Sequence, residues 1–384
     1  MTSQEWETRP LANFLTLRTY GFTNPMPTTP TGPYMVTAKD IRGGQIDYES
    51  ARHTSPEAFT GKLTDKSRPM VGDVLLTKDG SIGRVAVCDI SGICINQSVA
   101  LLRPNEKILP KFLSYLLQAP VYQERMERDS DGSTIKHIYI TRVDRMPVAV
   151  PDLDEQGRIV DVLGALDDKI AANTKLISTI DAHMALGLTA AISNGSRIVA
   201  LGDIVAFHNR RRIPLSSRDR ESRSGSVPYY GASGAFDTVD VAIFDQPLVL
   251  VGEDGSVINA DGTPVVQYVW GPAWVNNHAH VLTGEGISTE LLYFTIAREQ
   301  VTTLVTGAVQ PKINMGNLKR LELTLPTGTA LQEIERLVAA ETAFKRLCIE
   351  EMRAVAAIRD ALLPQLMSGK LRVKDAEKLL AGVL

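Results

Sequence analysis

Two stretches of the chain change the period of their apolar residues from two to three or four. In the first, Ile159, Leu163, Leu166, Ile170, Ile177, Ile180 and Met184 recur at helical spacing, with Asn173 in the seam. In the second, Ile334, Leu337, Phe344, Cys348, Val355, Ile358 and Leu362 do the same, with Glu341 and Glu351 intruding. Such spacing lines up one apolar stripe along a helix. No proline interrupts either stretch before Pro364. Each therefore predicts a helix of roughly 35–40 residues, or roughly 50–60 Å at 1.5 Å per residue. A helix that long with a single seam needs a partner, and the obvious partner is the other one. The three polar residues weaken a perfect zipper, and they are expected to fix register and spacing.

Shorter elements precede each helix in the same order. VLLTKDGSI (74–82) and VLVGEDGSV (249–257) lie 175 residues apart. At that offset Asp79-Gly80-Ser81 maps to Asp254-Gly255-Ser256, Gly132 to Gly307, Ile138 to Ile313, Arg145 to Arg320 and Pro151 to Pro326. Asp-Gly favours a tight turn, because glycine accepts positive φ. INQSVALLRP (95–104) answers to VNNHAHVLTG (275–284), amphipathic KFLSYLLQ to ELLYFTIA, and strand RMPVAVP to RLELTLP. The expected fold is α/β (mixed α+β), with two tandem domains and two long antiparallel coiled-coil helices in a pseudo-two-fold repeat. The expected boundaries are residues 1–151 and 197–328 for the globular domains. Residues 152–196 form the first helix, and 329–384 the second helix with a C-terminal tail. A two-fold reader of DNA would match two half-sites.

Length agrees with two or three domains. Cys88, Cys94 and Cys348 make neither a disulfide framework nor a zinc pattern. No stretch reads as a signal peptide or a transmembrane helix, so a soluble cytoplasmic protein is expected. The net charge of −3 is uneven: residues 1–150 carry +2, 151–196 carry −4, 197–328 carry −2 and 329–384 carry +1. Arg210, Arg211, Arg212, Arg218, Arg220 and Arg223 face only Asp219 and Glu221 nearby in sequence. Such a local basic patch matters more for DNA than the total charge. The acidic residues of the first helix, Asp161, Asp167, Asp168 and Asp181, either form a solvated face or meet a partner protein.

Ahead of the Asp-Gly turns the two halves diverge. TYGFTNPMPTTPTGPYMVTAKDIRGGQIDYES stands in one and FHNRRRIPLSSRDRESRSGSVPYYGASGAFDTVD in the other. A shared frame with differing polar loops is the layout of a recognition module. PYYGASGAFDTVDVAIFDQPLVLVGEDGS, WVNNHAHVL, TGAVQPKIN and LLPQLMSGKLRV together resemble the specificity subunit of type I restriction–modification systems. The resemblance covers essentially the whole chain. It is weaker in the first half, where DGSTIKHIY replaces the usual form of the TGAVQPKIN loop.

The resemblance implies a target recognition domain in each half, reading one part of a bipartite DNA sequence across a non-specific spacer. It implies that the paired helices act as a ruler and dock two methyltransferase (modification) subunits, which bind S-adenosylmethionine and methylate adenine. Motor–nuclease (restriction) subunits, which use ATP and Mg, are the further partners of a restriction complex in antiviral defence. The chain itself is then expected to be non-catalytic and to hold no cofactor. It has no GxxxxGK[ST] phosphate loop. Its nearest approach to an NPPY motif, Asn24-Pro25-Met26-Pro27, reads as a proline-rich turn.

Candidate DNA contacts in the first domain are Lys39, Arg42, Lys78, Lys136, His137 and Arg142. In the second they are Arg210, Arg211, Arg212, Tyr229, Tyr230, Asn277, Gln310, Lys312 and Asn314. Lys and Arg suit phosphates, and Arg, Asn and Gln suit base edges. Gln310, Lys312 and Asn314 alternate with Pro311 and Ile313, which puts them on one face. Each candidate has a plainer reading, as surface charge or as a half-buried strand residue. His278 and His280 would share a face if they lie on a strand, but zinc needs further ligands and no metal is expected. Two other functions stand beside DNA reading. His278 and His280 with Glu253 or Asp254 could form an acid–base pocket of a small hydrolase-like enzyme. Alternatively the chain is a protein scaffold that binds no DNA.

Overall fold

A computed structural model describes residues 6–132, 136–307 and 309–380. Residues 133–135 of the DGSTIKHIY loop and Ala308 of TGAVQPKIN lie outside the described residues. The chain divides into two compact units. One comprises Met1–Ala171 with Met352–Leu384, and the other Ala172–Glu351. The division cuts both long helices, Leu153–Ser193 and Gly328–Met367, so each unit takes part of each.

In the first unit an antiparallel sheet runs in the order Leu15–Tyr20, Val99–Pro104, Val74–Thr77, Val85–Val87. A second sheet joins Arg52–His53, Thr29–Val36 and Ile93–Ile95, the last two parallel. Thr8–Pro10 pairs with Pro147–Ala149 just ahead of the first long helix. Val74 and Leu76 enter one buried cluster and Leu75 another, as the period of two requires. The first cluster includes Phe112, Leu113 and Leu116 from the helix Pro110–Gln118. It extends to Ile159, Leu163 and Leu166 of the first long helix and to Val355, Leu362 and Leu366 of the second. Asp167 accepts from Arg359 Nη1 at 2.9 Å and from the Tyr115 hydroxyl at 2.6 Å. The tail does not stay extended. The chain turns at Gly369 (φ 66°) and forms the helix Val373–Leu380, which buries Val373, Ala376 and Leu380 in the same cluster.

The second unit repeats the strand order. Val205–Phe207, Ala279–Gly284, Leu248–Gly252 and Val266–Val269 form an antiparallel sheet. A second sheet runs Ala235–Val239, Val227–Tyr230, Pro272–Val275, Phe244–Asp245, again with one parallel pair. Ser196–Ala200 pairs with Glu322–Pro326. Ile180, Met184, Leu188 and Ala191 of the first helix pack with Ala330, Ile334 and Val338 of the second. In this unit Asn173 meets Glu351 (2.8 Å), Asp181 meets Lys345 (2.6 Å) and His183 meets Glu341 (2.9 Å). Partner numbers fall as residue numbers rise, so the helices run antiparallel here.

Three expectations about the helices need correction. Phe344 is 47% exposed, and the buried positions are Val338, Thr342 and Cys348. A seam followed through apolar residues alone passes over Thr342, which the stripe carries through. Asp167 and Asp181 are engaged by Arg359 and Lys345, which leaves only Asp161 and Asp168 as an open acidic face. One helix, Leu153–Ser193, is long and apolar enough to cross a membrane by length and composition, with a window of mean hydropathy 1.3. Its apolar character is used in pairing: Ile180, Met184 and Leu188 are buried against the second helix, and Asp181 and His183 pair with charges on it.

Candidate nucleic-acid interface

The Asp-Gly turns are the frame on which both candidate sites are built. Gly80 and Gly255 adopt φ of 76° and 78°, a region that side chains disfavour. Each turn is tied to a distant loop by the same backbone bonds. Gly80 N–H donates to the Lys136 carbonyl (2.9 Å), and Gly255 N–H to that of Pro311 (3.0 Å). Ile138 N–H reaches Lys78 (2.9 Å), and Ile313 N–H reaches Glu253 (2.9 Å). The loops close on themselves through His137 N–H to Asp131 and Lys312 N–H to Thr306, both 2.8 Å. Every one of these contacts recurs at the offset of 175.

In the second unit the turn forms one wall of a cleft of about 480 Å³. The 231–236 loop, Asn276, Asn277, His278 and Gln310 supply the rest of its lining. Asn277 and Gln310 are exposed at this cleft. Gln310, Lys312 and Asn314 are exposed while Ile313 is buried, so the expected alternation is present, although the segment forms only isolated bridges. Asn314 also caps the helix Met315–Lys319, accepting from Asn317 N–H at 2.8 Å.

The three arginines separate in role. Arg210 is exposed, with no side-chain partner among the described residues. Arg211 is exposed, donates to the Ile243 carbonyl (2.6 Å) and lies 4.3 Å above the Phe244 ring. Arg212 turns inward to Glu253 (2.6 Å) and the Ala279 carbonyl (2.7 Å), where it holds structure together. Tyr229, at 1% exposure, is a core residue whose hydroxyl accepts from Leu215 N–H, and it cannot contact sugar or thymine. Tyr230 is partly buried against the second sheet's core.

In the first unit Lys39 and Arg42 are exposed at a tight hairpin whose turn, Gly43-Gly44, has positive φ at both residues. Lys78 is only 7% exposed, and its Nζ pairs with Asp79 at 2.9 Å. It is a structural ion pair and not a surface contact. Lys136 is exposed and pairs with Glu127. Arg142 grips Asp131 through both terminal nitrogens (3.0 and 2.9 Å), which raises its pKa and fixes the 129–131 loop. Residues 24–27 are loop, as expected.

His278 and His280 do not share a face. His278 lies in a turn and its Nδ1 contacts Asp254. His280 lies on the strand, fully buried. Its Nε2 donates to the Ile313 carbonyl (2.8 Å) and its Nδ1 accepts from Asn209 (2.9 Å). Burial holds its pKa below the usual value, against the opposing pull of the Ile313 carbonyl and Glu253. Glu253 is shared among Arg212, His280 and Lys312. His280 and Glu253 are thus committed to structural partners, and of the pocket proposed for acid–base chemistry only His278, held by Asp254, stays exposed. Sequence reasoning missed Phe236, an exposed aromatic at the cleft, against which Arg220 of the basic patch stacks at 5.3 Å, as it does against Tyr229.

A family model described as "Type I restriction modification DNA specificity domain" matches residues 5–182 and 194–336. A Haemophilus influenzae protein named as a type I restriction enzyme specificity subunit is 29% identical over 144 residues, 37% of this chain and 36% of that protein. The MjaIX specificity subunit of Methanocaldococcus jannaschii is 22% identical, covering 79% of this chain and 78% of its own length. The crystal structure of a type I system S subunit from M. genitalium covers 95% of this chain and 97% of its own, at 18% identity and a TM-score of 0.59. That likeness concerns the fold.

Proposed function

The chain belongs to the type I restriction–modification DNA specificity family, and on that premise we propose that it recognises DNA for a modification complex without catalysing a reaction itself. Each unit reads one half of a bipartite target. The long helices set the spacer and dock two methyltransferase subunits, which supply S-adenosylmethionine chemistry on adenine. Motor–nuclease subunits that use ATP and Mg join for restriction. In this reading the chain carries no cofactor, and it works in the cytoplasm with its DNA.

One observation carries the proposal. The turn-and-loop frame recurs at the offset of 175 with matching backbone bonds, whereas the exposed polar groups around it differ between the units. A frame kept constant under differing polar edges suits two readers of two different sequences. Lys39, Arg42 and Lys136 in the first unit and Arg210 and Arg211 in the second are the proposed phosphate contacts. Asn277, Gln310, Lys312 and Asn314 are the groups proposed to face base edges or nearby phosphates.

The test is to co-express the chain with its modification subunit and map methylated adenines across the host genome. A bipartite motif with a fixed gap is expected. A complex that assembles and leaves no motif would favour the scaffold reading. Failure to assemble would overturn the docking role.

A further inference from the structure

The aspartate of each Asp-Gly turn holds an imidazole, and the two histidines come from different places in the repeat. Asp254 accepts from His278, which sits in the turn after Pro272–Val275. Asp79 accepts from His137, which sits in the loop tied to the turn. The positions are not equivalent. Lys78 N–H bonds to Ser98 where Glu253 N–H bonds to His278, so Ser98 stands in the place of His278. At the offset of 175, Lys312 stands in the place of His137. The same pairing is thus reached by two routes, on the same aspartate of the frame.

The contact fixes the chemistry of the free edge. With its Nδ1–H donated to a carboxylate, a neutral imidazole carries a bare Nε2, which is an acceptor. Both rings are partly exposed, and neither Nε2 has a partner among the described residues. Of the neighbouring cations, Lys78 is paired with Asp79, Arg212 with Glu253 and Arg220 with Asp237, while Lys136 and Lys312 stay exposed. Asp254 has no lysine or arginine partner among the described residues, so it puts negative charge beside His278 and disfavours a phosphate there. In the second unit the cleft also presents the amides of Asn277 and Gln310, groups that suit base edges.

We propose that His137 and His278 are specificity-determining residues, each accepting a hydrogen bond at Nε2 from a base amino group, adenine N6 or cytosine N4, in its own half of the target. Asp79 and Asp254 are positioning residues that fix the tautomer. This rests on the DNA-recognition reading.

The experiment maps methylation genome-wide for the full chain with its modification subunit, as wild type and as H278A, H137A and D254N, with thermal melting of each. In H278A one position of one half-site should lose discrimination by about tenfold, the scale of a base-edge contact. H137A should do the same in the other half only. D254N should relax the same position as H278A to a smaller degree. The proposal is overturned if folded H278A and H137A keep the wild-type motif, or if methylation weakens evenly over all sites, as a phosphate contact would make it. It is also overturned if methylation vanishes at an unchanged melting temperature. A wild-type complex without any bipartite motif would instead defeat the DNA-recognition reading. If H278A misfolds, H278L, which fills the space but has no acceptor, takes its place under the same criteria.

Discussion

His280 shows how one buried side chain sets a condition on the whole unit. Protonation would put a hydrogen on Nδ1, which already accepts from Asn209, while Nε2–H is held by Ile313. The folded state therefore keeps the ring neutral to a lower pH than the unfolded chain does, whose histidines titrate near about 6.5. Below that value the unfolded state binds more protons, and stability falls with pH. Full stability is expected above about 6.5, declining as the solution is acidified towards the depressed folded value. Urea unfolding of the isolated chain at pH 8, 6.5 and 5 checks this. H280N should be less stable at pH 8 and show a shallower decline, and equal slopes for the two proteins would refute the assignment.

Within the paired helices, burial separates structural residues from exposed ones. Met184 is fully buried among Ile180, Leu188 and Val338, whereas Phe344 stands largely in solvent. Met184→Ala should cost about 2–5 kcal/mol by loss of transfer energy and creation of a cavity. Phe344→Ala should change stability by less than about 0.5 kcal/mol, as expected of exposed surface. Denaturant midpoints of the two variants decide between this seam and the one read from apolar spacing. Asn173 lies in the seam at 5% exposure and donates to Glu351 at 2.8 Å. Asn173→Leu should raise the melting temperature, because a seam polar group trades stability for register. It should also loosen the gap between half-sites in a methylation map. If stability and gap both stay unchanged, Asn173 does not set register.

At the scale of the molecule, each unit carries its own frame, sheets and exposed polar groups. Replacing residues 1–151 with another recognition segment should alter one half of the target and leave the other. Methylation mapping of the exchanged protein checks this, and a change in both halves would argue against independent readers. Binding of the assembled complex to DNA should weaken linearly in log–log salt titrations, because phosphate contacts release counterions. R210A should reduce the slope by about one ion if Arg210 meets a phosphate.

The sequence alone determined the repeat, both long helices and the order along the chain of the parts around each Asp-Gly turn. These follow from local periodicity and from turn glycines, which act over a few residues. It did not determine which charged and aromatic residues stay at the surface. Lys78, Arg212 and Tyr229 looked like contacts because charge and aromaticity are visible in a string. Their burial depends on Asp79, Glu253 and the Leu215 backbone, partners chosen by packing. Phe344 was misplaced because a polar residue, Thr342, completes the stripe, and apolar spacing does not register it. The pairing of His137 with Asp79 and of His278 with Asp254 was invisible for the same reason. Fifty-eight residues separate the first pair and 24 the second, and only the closure of loop on turn brings each imidazole to its carboxylate.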